Sequence, residues 1–313
     1  MSRARYPLAI LLAGALAAGF AILFRLALHH GVQLIFGTGN VLEGFSKLSW
    51  HWRLLLPAAG GAAAAAVSLL ANRAPGGSSV AVILESVVLG RGQIRLPAVL
   101  LKALASLAAL CTGGSIGREG PIIQFGGGSG SLLGRGFKLS TRETRMLIAA
   151  GTGAGFAAAY NTPFAAVLFV LEIVTGVVGI DVLVPVAIAT AVATTLTRLA
   201  VGGGPLYGQR QFALVTQTEI LAYCVLGILA GLLGPLFLAA LSKAADAARK
   251  LQLPRILLGT LGGLGVGALA IAFPQVTGNG YEAIQLILDA RLAGAILAAL
   301  LIAKGLATIS SVS

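Results

Sequence analysis

The chain has 313 residues, 57% of them hydrophobic and 10% charged, with a mean hydropathy of +0.94. A soluble domain carries about 25% charged residues, so these proportions exclude an ordinary globular protein and indicate a membrane protein with many spans. The net charge is +12, yet the basic residues stand singly between apolar runs, which excludes a nucleic-acid patch and fits placement of cytoplasmic loops by the positive-inside rule.

Ser2-Arg3-Ala4-Arg5 precedes an apolar run with no convincing cleavage site, so a retained first span is expected. That span is a long helix from Tyr6 to Phe36, with Arg25, His29 and His30 toward its far end. Val41 to Arg53 is polar and holds Trp50 and Trp52, the residue type found at membrane–water interfaces. Leu54 to Ala71 reads as a second span. A break at residues 72–79 leads into an apolar piece, Val80 to Leu89, too short to cross a bilayer, for which about twenty residues are needed. It reads as a half-helix with Ser78 or Ser79 at its N-cap. Leu96 to Leu110, carrying Lys102, is the next span.

Pro121 to Phe137 is expected to be a helix loosened by Gly126-Gly127-Gly128-Ser129-Gly130, and Lys138 to Arg145 a charged loop. The glycines form no dinucleotide fingerprint, because no strand precedes them and no acidic residue follows at the required distance. Met146 to Ala159 is apolar and stopped by Asn161-Thr162-Pro163; Phe164 to Val178 is a short apolar segment carrying Glu172, and Val182 to Val201 a further span. Gly202 to Gln211 is turn-rich and marks a boundary. A long helix, Ile220 to Ala240, precedes a basic stretch, Lys243 to Arg255. Ile256 to Phe273 is a glycine-rich span ended by Thr277-Gly278-Asn279-Gly280, Ile284 to Leu288 is short, and Leu292 to Ala307 is one more span.

The expected architecture is therefore all-α, a multi-span bundle of tilted and broken helices. Residues 1–201 form a first transmembrane repeat, 202–219 a connector and 220–313 the start of a second repeat, both repeats opening on a long helix as an inverted repeat does. Short and interrupted apolar segments are the sequence signature of a transporter whose site lies between broken helices.

The chemistry centres on Gly113-Gly114-Ser115-Ile116-Gly117-Arg118-Glu119-Gly120-Pro121. A carboxylate at membrane depth costs about 2.5–3.5 kcal/mol on insertion scales and as a rule faces a water-filled cavity or ion path. Glycines let backbone N–H groups crowd a ligand, and proline is tolerated in a first helical turn. Gly117, Arg118, Glu119 and Gly120 thus read as one positive half-helix end, and Ser78 and Ser79 as another. Two such ends hold a halide without a full positive charge that would bind it too tightly to let it leave. Glu119, when ionised, competes for the same place and acts as a gate.

These residues carry a resemblance to the chloride channel (CLC) family, which contains chloride channels and chloride/proton exchangers. The Gly-Arg-Glu-Gly-Pro motif is intact at Gly117 to Pro121 and Gln124 follows it; Gly77-Ser78-Ser79-Val80-Ala81 matches the family's Gly-Ser-Gly-Ile-Pro in degraded form. Lys102, Asn161-Thr162-Pro163, Gly234-Pro235 and Gly278-Asn279-Gly280-Tyr281-Glu282 also resemble family landmarks. The resemblance implies chloride transport, with bromide or nitrate as further anions and protons as a second substrate. It also implies a homodimer with a pore in each subunit, multi-pass in a bacterial-type inner or plasma membrane. Ser78 keeps the hydroxyl that contacts chloride in the family.

Two departures accompany it. Glu172 matches the first of two adjacent glutamates found in proton-coupled members, and Ile173 occupies the place of the second, the internal proton-transfer site. The chain also stops at Ser313, before the family's Gly-x-Phe-x-Pro motif and its later chloride-contacting tyrosine, so a fragment is expected, with a non-conducting or regulatory truncated subunit as the alternative. Lys102 and Glu172 are candidates for structural or pathway roles. An enzyme is not expected, since the spans carry no nucleophile–base pair and no paired carboxylates. Cys111 and Cys224 imply no disulfide framework, His29, His30 and His51 are scattered, and neither metal nor cofactor is implied.

Overall fold

The computed structural model describes residues 4–71, 79–88, 93–204, 206–208, 216–292 and 294–312. Runs rich in Ala and Leu favour helix, and no strand forms among the described residues. The helices are α1 (Arg5–Phe36), α2 (Val41–Lys47), α3 (Trp50–Ala71), α4 (Ser79–Val88), α5 (Leu96–Cys111) and α6 (Glu119–Gly136). They continue with α7 (Thr141–Tyr160), α8 (Pro163–Phe169), α9 (Ile180–Val201), α10 (Glu219–Lys250), α11 (Arg255–Ala272), α12 (Tyr281–Leu288) and α13 (Gly294–Val312). Six stretches are long and apolar enough to cross a membrane: Arg5–Lys47, Trp50–Leu70, and the helices α9, α10, α11 and α13. The protein is an integral membrane protein of broken and continuous helices, as expected.

The residues divide into two compact units. The first comprises Met1–Leu34, Ala66–Ala108 and Gly117–Leu206; the second comprises Ile35–Ala65, Ala109–Ile116 and Tyr207–Ser313.

In the first unit α6 crosses α7 at glycines on both sides. A side chain on Gly126 would collide with the Gly151 carbonyl, and one on Gly130 with the Leu147 carbonyl. A Cβ on Gly155 would stand 2.7 Å from the Ile122 carbonyl. Rows of small residues spaced four apart let two backbones approach this closely. The glycines expected to loosen this helix instead leave it continuous and bind it to its neighbour. On the other face of α7, Gly153 admits Val186 of α9. The segment before α5 is held to α6 by Ile94 N–H donating to Ser131 Oγ at 3.0 Å.

The charged loop expected over Lys138 to Arg145 is shorter than its composition implies. Ser140 caps α7: its Oγ accepts from Glu143 N–H at 3.3 Å while its own N–H donates to the Glu143 carboxylate at 2.9 Å. This reciprocal capping box starts the helix at Thr141. After α8 the chain widens into a π turn, Val170–Thr175, closed by Gly176 at φ +66°.

In the second unit α3 meets α11 by the same device: a side chain on Gly263 would collide with the Pro57 carbonyl, and one on Gly61 with the Gly259 carbonyl. Arg53 braces the start of α3, donating from Nε to the Leu48 carbonyl (2.9 Å) and from a terminal nitrogen to the Ser46 carbonyl (2.9 Å). The basic stretch after Ala240 is helix, since Leu241 to Lys250 is rich in alanine and carries Arg249 and Lys250 in the last turn, where they favour the dipole.

Candidate functional site

The approach to the central motif is pinned within the second unit. Gly113 has φ +91°, and a side chain there would enter the Phe45 ring, so the position admits glycine alone. Its carbonyl accepts from Gly278 N–H at 3.3 Å. Ser115, 1% exposed, donates its N–H to Ser311 Oγ at 3.0 Å, and its hydroxyl lies 3.2 Å from the Thr308 hydroxyl on α13. One turn away on α13, Lys304 donates to the carbonyls of Val276 and Gly278, both at 2.8 Å. This lysine ties down the broken stretch between α11 and α12. In the sequence Lys304 shows the same signal as Lys102, a lone basic residue inside an apolar run.

The motif's second part belongs to the first unit. Arg118 takes the N-cap position of α6 at φ −83°, ψ −9°, and offers no side-chain cap. Glu119 is the first helical residue, and Pro121 sits in the first turn, buried with Ile122, Ile123 and Gln124. Arg118, Glu119 and Gly120 are half-buried and Gly117 is exposed. The Glu119 side chain folds back, so that Oε2 occupies the position a side chain on Gly117 would take. The carboxylate therefore lies at the helix start, where backbone N–H groups lack intrahelical partners and the dipole is positive.

Ser78 lies outside the described residues. Ser79 opens α4, so the half-helix starts where its cap was expected. Lys102 is half-buried on α5. Glu172 and Ile173 both lie on the exposed side of the π turn, whose inner residues are Val170, Leu171 and Val174. Asn161 ends α7 in the left-handed conformation at φ 59°. Its Oδ1 accepts from Arg198 Nε at 2.7 Å and its Nδ2 donates to the Gly204 carbonyl at 3.2 Å, tying the turn to the end of α9.

A small recess of about 10 Å³ lies in the same unit, lined by Arg25 of α1, Arg118 and Ile122 at the start of α6, Ala158 and Ala159 of α7, and Thr197 of α9. Only the meeting of four helices brings Arg25 and Arg118 to one recess.

The family description "Voltage gated chloride channel" matches residues 59–313. A putative chloride channel protein ClcB-like from Ralstonia nicotianae is 36% identical over 304 residues, covering 96% of this chain and 70% of that protein. The voltage-gated ClC-type chloride channel ClcB of Escherichia coli O9:H4 is 32% identical over 280 residues, covering 88% of this chain and 66% of that one. The chain thus spans about two thirds of the length of these relatives. Among solved structures, a slow cyanobacterial Cl-/H+ antiporter superposes with a TM-score of 0.81 at 25% identity, covering 98% of this chain and 74% of the other. A CLC-type fluoride/proton antiporter shares the fold with a TM-score of 0.78 at 22% identity.

Proposed function

Because the chain belongs to the voltage-gated chloride channel family, we propose that it carries chloride across a membrane and that Glu119 gates the movement. The observation that carries this reading is the fold-back of the Glu119 carboxylate over Gly117 at a helix start that has no side-chain cap. An acid in that position satisfies the same backbone donors and the same dipole that attract a small anion. Acid and anion then exclude one another. Protonation or rotation of the side chain opens the place, and its return closes it.

In this reading Ser79, which opens α4, and Ser78, which precedes it in the sequence, supply a second set of donors, Arg118 and Gly120 complete the α6 end, and Lys102 and Glu172 have supporting roles. Bromide or nitrate would follow the same path, since both are monovalent and readily dehydrated. The chain works as a homodimer in this proposal, with one path per subunit, and residues 1–201 and 220–313 as its two repeats.

The test is chloride efflux from proteoliposomes containing the wild-type chain or Glu119→Gln. The neutral, isosteric side chain no longer competes as an anion, so the efflux rate and its dependence on pH should change together. Identical efflux from both proteins, or none from either, removes the reading. Recording the pH inside the vesicles during the same run separates a channel from a proton-coupled exchanger, for which Ile173 stands where coupled members carry an acid.

A further inference from the structure

We infer that Thr308 and Ser311 of α13 are positioning residues for the gate: they hold Ser115, and through it the stretch of chain that presents Gly117 and Glu119. This inference rests on the gating reading above.

Helix periodicity puts the device on one face of α13. Lys304, Thr308 and Ser311 stand at i, i+4 and i+7, so their side chains share a polar stripe. Leu300, Ala303 and Ala307, buried residues of the same helix, form an adjoining apolar stripe. The polar stripe meets two irregular stretches, residues 112–116 ahead of the gate and 274–280 ahead of α12. Gly278 N–H joins the two by donating to the Gly113 carbonyl. Irregular backbone at membrane depth survives only where the protein satisfies its polar groups.

The groups on the stripe match what each stretch lacks. The Val276 and Gly278 carbonyls need a donor and receive Lys304. The gate approach needs an acceptor instead. Gly113, Gly114 and Ile116 give their N–H groups to the carbonyls of Leu110, Ala109 and Gly114, close by in the chain. Of these four successive N–H groups, only that of Ser115 leaves the segment, for Ser311 Oγ at 3.0 Å.

The direction of the second contact follows by elimination. Thr308 Oγ1 donates its hydrogen to the Lys304 carbonyl at 2.9 Å, so in the 3.2 Å contact it accepts and the Ser115 hydroxyl donates. Ser115 thus plugs two donors into two oxygens of α13, which fixes its backbone and its side chain together. At 1% exposure, water does not take their place.

What is fixed at Ser115 reaches the gate quickly. Only Ile116 separates Ser115 from Gly117, and peptide units are planar and stiff. Gly117 is exposed, and the Glu119 carboxylate folds back over it. The closed position requires Oε2 at one spot beside Gly117. A loosened approach spoils that position before it disturbs α6, whose first turn is buried at Pro121 and Ile122.

The experiment measures chloride efflux from proteoliposomes for Ser311→Ala and Thr308→Val, each made in the wild-type chain and in Glu119→Gln. In the wild-type chain each should move the rate toward that of Glu119→Gln. The change should be on the order of fivefold, the weight of one hydrogen bond, or as far as the Glu119→Gln rate if that is nearer. Ser311→Thr keeps the hydroxyl and should keep the wild-type rate. In Glu119→Gln neither substitution should change the rate further, because the gate is already gone. Equal factors in both backgrounds, or wild-type rates from both variants, overturn the inference and leave α13 a support of the fold alone. If one variant does not assemble, the other carries the same test. If Glu119→Gln behaves as wild type, or wild type moves no chloride, the gating reading itself fails. Hydrogen exchange of purified wild type and Ser311→Ala then decides whether α13 positions this segment. Faster exchange that runs from Ser115 through Gly117 to Glu119 supports it; unchanged exchange, or a change confined to Ser115, overturns it.

Discussion

Glu119 lays its carboxylate over Gly117, so that Oε2 stands where any larger residue at position 117 would place its first side-chain carbon. Gly117→Ala should therefore displace the acid without harming the fold. The position is exposed and the colliding atom is the end of a flexible side chain, so the stability change should stay within about 0.5 kcal/mol. Chloride efflux should nevertheless move in the same direction as in Glu119→Gln. Efflux like wild type from Gly117→Ala would mean the fold-back has no part in gating.

The α6–α7 crossing makes a different demand on its glycines. Gly151→Ala places a methyl group against the Gly126 carbonyl, where only backbone separation relieves the clash, and should cost about 1–3 kcal/mol. Gly19→Ala on α1 meets nothing within 4 Å and should instead stabilise by about 0.5–1 kcal/mol through helix propensity. Thermal unfolding in detergent should shift in opposite directions for the two variants.

Lys304 offers a buried-polar test. Replacing it with methionine keeps the volume and removes the donor that the Val276 and Gly278 carbonyls share. Leaving acceptors without a partner should cost about 1–3 kcal/mol. Proteolysis or hydrogen exchange localised to residues 274–280 should detect the loosened stretch before the rest of the protein changes. Uniform protection in Lys304→Met would show that the lysine does not anchor it.

The capping box at the start of α7 gives a pH signature. The Ser140 side chain first, and its backbone N–H second, hold the Glu143 carboxyl below its ordinary value. A lowered folded value means the contribution is complete above the ordinary carboxylate range and is lost as pH falls through the lowered one. Ser140→Ala should cost about 0.5–2 kcal/mol near neutral pH, and much less in acid, where Glu143 is protonated in both proteins. Melting curves of the pair that stay parallel from neutral pH into acid would contradict this.

Legibility differed by the range of the interaction. Helix ends marked by local chemistry could be read directly: Asn161 before Pro163 stops α7, and Gly278 and Gly280 at φ +66° and +90° break the stretch before α12. The half-helix from Ser79 was readable because a ten-residue, mostly apolar segment cannot span a bilayer. The Ser140–Glu143 signal was present in the letters yet hidden by its charged neighbours, which suggested a loop. Gly126 to Gly130 misled for the opposite reason. A glycine's intrinsic flexibility is a property of one residue, whereas its value as a packing surface depends on Gly151 and Gly155, some 25 positions away.

By itself, then, the order of residues determined a membrane-embedded, all-helical chain and the acid in its midst, because hydropathy, length and helix-breaking residues act locally. Which way that acid turns, which lysine secures the broken turn, and that Arg25 of the first helix lines one recess with Arg118 were settled only by tertiary structure. Those relationships depend on helices brought together from distant parts of the chain, and the closeness of approach is set by pairs of surfaces that no single segment contains.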